Sequence, residues 1–95
     1  MDWPFQDSPR AEAIASARVM DGDPILLVTH DRADGGWQFL CGSTDHAIEV
    51  RDVELGTVIG KDPSLRELAD LPVGWRAWRS SPDDPWRRAP LGLGP

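Results

Sequence analysis

Apolar and polar positions along the chain switch between two periods, and the expected elements follow from them. Residues 25–30, ILLVTH, are a short apolar run with β-branched members. The run is too short for an independent helix and predicts a buried strand. Residues 37–42, WQFLCG, alternate, so Trp37, Phe39 and Cys41 share one face. Between them DRADGG predicts a loop, with Asp34-Gly35 as its turn signal. If the loop closes an antiparallel hairpin, the simplest register pairs positions summing to 67. His30 then faces Trp37, Val28 faces Phe39 and Leu26 faces Cys41 on one side. Thr29 with Gln38 and Leu27 with Leu40 fall on the other. A slip of one residue would mix the two faces, so burial of one face selects this register.

The remaining segments follow the same logic. AEAIASARVM at 11–20 supports two readings: alanine content and the spacing of Ala11, Ile14, Ala15 and Val19 favour a helix, with a short strand around Ile14 as the alternative. AIEV at 47–50 reads as a short strand. VELGTVIG at 53–60 places Leu55, Val58 and Ile59 on one helical stripe. DPSLRELADLP is the strongest helix signal, with Asp62 as N-cap, Pro63 at the first position, Leu65, Leu68 and Ala69 as the buried stripe, and Pro72 as the stop. VGWRAWRS at 73–80 alternates and predicts a last strand at a sheet edge. Trp3 and Phe5 flank Pro4 in an extended opening segment at the surface or core edge. The expected fold is α+β: an antiparallel sheet of about four or five strands with one or two short helices packed on it. Residues 1–80 form the domain, and 81–95, rich in Pro and Gly, form a tail.

Charge narrows the choice of partners. The net charge is −6, which disfavours a chain-wide nucleic-acid or anionic-membrane surface. The acid is concentrated in residues 1–60, which hold eleven Asp and Glu against four Arg; residues 61–95 hold five acids against six bases. A single cysteine forms no internal disulfide and suits a reducing compartment. MDWPFQDSPR lacks the basic start and apolar core of a secretory signal, and no apolar run approaches the ~20 residues of a membrane helix. A soluble, cytoplasmic protein is expected.

Five candidate chemistries remain. His30, Asp31, Asp34, Cys41 and His46 are metal-ligand types, but a calcium loop counted from Asp31 puts Ala33 at its third position and Gly42 at its twelfth, where carboxylates are needed. A Cys41–His46 nucleophile pair requires an accessible, activated thiol, whereas Cys41 shares a face with Trp37 and Phe39. Asp31 and Asp34 in one loop lack the contrasting environments that acid–base catalysis needs. Asp34 is expected to supply turn hydrogen bonds and Asp31 solvation. GWRAWRSSPDDPWRR interleaves Arg with Trp75, Trp78 and Trp86 in a pattern that suits stacked bases or, equally, Arg–Trp stacking inside the chain. Trp and Arg are also interface hot-spot types. Trp37 and Trp75 are expected inside, with Trp78 and Trp86 available for contact. An exposed edge would further permit a homodimer.

The stretch from Ile14 to Arg79 resembles a family of small bacterial proteins of unassigned function, related to the immunity proteins that protect bacteria from polymorphic toxins (family thirty-three of that series). The resemblance rests on ASARV, the D-x-x-DGGWQFLCG hairpin, the DPSL helix start and LPVGW, in that order. It differs in a short loop before Trp37 and in an acidic stretch reduced to STDHAIE. It implies an α+β domain with an antiparallel sheet, and a strand near Ala13–Ser16 followed by a helical turn through Val19. That favours the strand reading of 11–20. It implies no activity, cofactor or catalytic residue. The expected function is non-enzymatic binding of a protein, with His30, Asp31, Asp34, Trp78 and Trp86 as candidate contacts and no cofactor or metal. The alternative is a small ligand-binding protein or enzyme using His30, Cys41 or His46.

Overall fold

The computed structural model describes residues 3–33, 35–42 and 49–91. Its first strand, β1 (Glu12–Ser16), runs directly into a one-turn helix, α1 (Ala17–Met20). A hairpin follows, β2 (Leu27–His30) and β3 (Trp37–Leu40), then β4 (Val50–Glu54) leading straight into α2 (Leu55–Lys61). A 3₁₀ helix (Pro63–Leu68), β5 (Trp75–Trp78) and β6 (Arg87–Pro90) complete the chain. The six strands form one sheet in the order β4-β1-β3-β2-β5-β6. All neighbours are antiparallel except β1 and β3, which run parallel. The fold is α+β, with one parallel pair inside an otherwise antiparallel sheet. No helix among the described residues is long and apolar enough to cross a membrane.

The hairpin register is the expected one: Val28 pairs with Phe39, Thr29 with Gln38 and His30 with Trp37. One face of the sheet carries Ala13, Ala15, Val28, Trp37, Phe39 and Ala77, all buried. Leu55, Val58 and Ile59 of α2 join them in a single core with Leu65, Leu68 and Leu71. Small alanines on β1 and β5 leave room for the large rings of β3, so volume is matched across the layer. The opening segment closes the same core. Phe5 meets Trp37 edge-on at 5.2 Å, and the Trp37 indole Nε1 donates to Asp7 Oδ2 at 3.0 Å.

Residues 12–16 form the strand that the resemblance favours over the helix reading, followed by the helical turn through Val19, because β1 lies between β3 and β4 and the small side chains of Ala13 and Ala15 are buried there. Other elements differ from the sequence expectation. Ser16 ends the strand and caps α1, its Oγ accepting from Val19 N at 3.2 Å. Val53 and Glu54 belong to β4, so α2 begins at Leu55. Of AIEV, residues 47 and 48 lie outside the described residues. Asp62 caps its helix as expected, accepting from Ser64 N at 3.0 Å, but the helix is 3₁₀. Leu65, Leu68 and Leu71 recur every third residue and are all buried, which suits three residues per turn. β5 is not an edge. β6, drawn from the segment expected to be a tail, pairs along its whole length, Trp75 with Pro90 through Trp78 with Arg87. Pro90 is tolerated because β6 is itself the edge.

Candidate functional site

The sheet has a second face, away from the core. One continuous row crosses all six strands: Asp52, Ile14, Gln38, Thr29, Arg76 and Ala89. Each is half-buried or exposed, whereas Ala13 and Ala15, the neighbours of Ile14 along β1, are buried. Period-two alternation therefore assigns this row to the solvent side. Two residues along the strands lies a more apolar set: Leu40 paired with Leu27, Leu27 with Trp78, and Trp78 with Arg87. Val50, at the start of β4, is 51% exposed.

Charge is separated across this face. Glu12, Asp52 and Glu54 lie on the β4–β1 flank, and Arg76 and Arg87 on the β5–β6 flank. None of these five forms an ion pair among the described residues. Ion pairs among the described residues include Arg51–Asp21, Arg79–Asp62 and Arg88–Asp70. Arg76 and Asp52 are four strands apart, ~19 Å at normal strand spacing, too far to meet within one chain.

On the acidic flank the surface dips into a depression of about 140 Å³ lined by Glu12, Ile14, Asp31, Gln38 and Asp52. Asp31 reaches it from the hairpin tip. Its role differs from the solvation expected for it: Oδ1 accepts from Ala33 N at 2.8 Å, and its backbone N donates to Gly36 O at 2.8 Å. Asp31 itself thus supplies the side-chain turn hydrogen bond expected of Asp34. Asp34 lies outside the described residues, as does His46.

The other sequence candidates are dispersed. His30 stacks on Trp37 with ring centres 3.8 Å apart, on the core side of the hairpin. Its Nδ1 lies 2.8 Å from the carbonyl oxygen of Leu71, which can only accept, so Nδ1 is the donor. Cys41 is partly buried and packs against the core. It follows β3 four residues beyond Trp37, the partner of His30, so the two candidates lie at opposite ends of the hairpin, ~13 Å apart along the strand. Trp78 is on the open face, with the Arg76 guanidinium 5.0 Å above its ring. Trp86 is half-buried against the core beneath Arg79, 4.2 Å from ring centre to guanidinium. Among the described residues no three His, Cys, Asp or Glu side chains are arranged to hold a metal ion.

Arg79 is the least predictable side chain of the region. It is buried, donates through Nε and Nη2 to the carbonyl of Ile25, and meets Asp62 Oδ2 at 2.5 Å. Burial pushes the Asp62 carboxyl pKa up, but hydrogen bonds from Ser64 and Arg79 outweigh it and hold the group below the usual aspartate value. Asp70 is lowered too, by its hydrogen bond from Arg88. Glu12, Ile14 and Asp52 are not among the contacts expected from sequence, whereas Arg76 belongs to the Arg–Trp pattern and lies over Trp78. The one legible signal of the first three is the alternation of Ile14 with the alanines of β1; their convergence depends on strands distant in the chain.

The fold and this face define a two-layer α+β domain with one open, charge-polarised sheet surface. No family model, curated protein or solved structure matches the chain.

Proposed function

We propose that the chain is a non-enzymatic protein-binding module acting through the open face of its sheet, in the manner of a cytoplasmic immunity protein that covers a basic surface of its partner. The observation that carries this reading is the depression lined by Glu12, Asp31, Asp52 and Ile14. An arginine or lysine of the partner would lay its methylene stem on Ile14 and present its charge to the carboxylates. Leu27 and Trp78, further across the same face on β2 and β5, would supply a separate apolar contact, where aromatic and arginine side chains carry most binding energy. The resemblance to toxin-immunity proteins adds a partner class, a toxin with a basic functional surface. In the alternative reading His30 and Cys41 lie at opposite ends of the hairpin, and the Cys41–His46 pair involves His46, which lies outside the described residues.

The test uses two baits, the wild-type chain and a Glu12→Ala/Asp52→Ala double variant, against extract of the native cell at low and high salt. The expected result is a basic protein retained by wild type at low salt, released by salt, and not retained by the variant. Equal retention by both baits, or no salt-sensitive retention by wild type, overturns the reading.

A further inference from the structure

The open face complements itself. Its middle is apolar or neutral, with Leu27, Leu40, Gln38 and Thr29 on the two central strands. Its flanks carry opposite charges that have no ion-pair partner among the described residues. We infer that a second copy of this chain docks on it face to face, forming a two-fold dimer in which Arg76 of each copy enters the acidic depression of the other.

Symmetry and charge together select the geometry. Two sheets stacked face to face by a two-fold axis have that axis lying between them, parallel to one face. An axis across the strands would stack β4 on β4 and place acid against acid. An axis parallel to the strands exchanges the flanks, so β1 lies over β5 of the second copy and β3 over β2. Rotation about such an axis also leaves each row opposite the same row. In the row Asp52, Ile14, Gln38, Thr29, Arg76, Ala89, Gln38 then faces Thr29, and Ile14 faces Arg76, of the second copy. Ile14 lines the depression together with Glu12, Asp31 and Asp52. In the apolar row Leu40 meets Leu27 of the second copy, at the centre of the contact. Six strands of about four residues make a face roughly 29 by 13 Å, about 380 Å² per copy and below the ~800 Å² per partner of a standard interface, so the contact is weak and the dimer dissociates on dilution.

The inference rests on the same reading of this face as a protein-contact surface, and a charge-swap experiment separates it from capture of another protein. Mass is measured by sedimentation velocity across a concentration series for wild type, Arg76→Glu, Asp52→Arg, and an equimolar mixture of the two variants. Both substituted side chains are exposed, and circular dichroism confirms that each variant is folded. Wild type is expected to rise with concentration toward twice the 10.5 kDa chain mass. Each variant alone is expected to remain monomeric, because both of its symmetric contacts become like-charged. The mixture is expected to recover the dimer. The charges introduced at positions 76 and 52 then face each other with opposite sign, while the intact Asp52 of the first variant faces the intact Arg76 of the second. A monomeric wild type at every concentration overturns the inference, as do variants that dimerise like wild type or a mixture that stays monomeric. Retention of a basic cellular protein by a wild-type chain that is always monomeric would overturn the dimer while leaving the partner-binding reading in place.

Discussion

Arg79 and Asp62 form an ion pair, its arginine enclosed and its aspartate partly exposed, that joins the end of β5 to the cap of the 3₁₀ helix. The arginine side chain is 2% exposed, and its Nη2 lies 2.5 Å from Asp62 Oδ2. The remaining guanidinium protons are also used: Ile25 O, Ser64 Oγ and Pro82 O accept from it. One side chain thereby ties together the segment before β2, the 3₁₀ helix and the connection to β6.

Replacing Arg79 by methionine keeps much of the volume and removes every donor. It leaves the Ile25 carbonyl and the partly exposed Asp62 carboxylate short of partners. The expected loss is about 2–3 kcal/mol, less than for a fully buried pair because water reaches Asp62. Urea denaturation of Arg79→Met against wild type measures it. A loss below about 1 kcal/mol, the net worth of one ordinary hydrogen bond, would show that water replaces the guanidinium.

The same pair makes stability depend on acid. The folded Asp62 has its pKa lowered from 3.8, and Asp70 shifts the same way. Between the folded and unfolded values the unfolded state binds more protons. The stabilisation is therefore complete above the unfolded pKa and is lost as pH falls through the folded one. The urea midpoint is expected to hold steady above about pH 5 and to fall below about pH 4. An Asp62→Asn/Asp70→Asn variant should show a shallower acid limb.

A chain ending at Ser80 is expected to be much less stable than the full chain, although composition places the domain boundary there. It would lose β6, the Pro82 acceptor, the Trp86 ring under Arg79, and the Arg88 contacts to Asp70 Oδ1 and Glu67 O. It would also expose the edge of β5, inviting aggregation. Thermal melts and light scattering of the two chains make the comparison.

Gly74 opens β5 with φ +86°, its N donating to His30 O at 2.7 Å and its O accepting from Leu91 N at 2.6 Å. A Cβ there would meet only the movable end of the Arg32 side chain, at 3.0 Å. Backbone strain therefore dominates, and Gly74→Ala is expected to cost about 1–3 kcal/mol. Equilibrium unfolding checks this. An additional Arg32→Ala change should recover little of the loss.

Local pattern was sufficient where a segment pairs with its own neighbour. The β2–β3 register, the Asp62 cap and the buried stripe Leu55, Val58, Ile59 were all legible, because alternation, capping chemistry and 3.6-residue spacing act within a few residues. Tertiary structure decided the rest. Ala13 and Ala15 are in a strand because β3 and β4 pass on either side, a condition no helix propensity encodes. Arg87–Pro90 is a strand because β5 offered an unpaired edge, so a Pro-rich stretch that reads as tail became sheet. The depression joins Glu12, Asp31 and Asp52 from three separate elements, and only the strand order β4-β1-β3 sets them side by side. Sequence by itself determined which residues seek the core and where the chain turns, since burial and turn geometry are local preferences. Which strands lie next to one another, and hence which charges share the open face, was settled by long-range pairing that minimises exposed apolar surface across the whole domain.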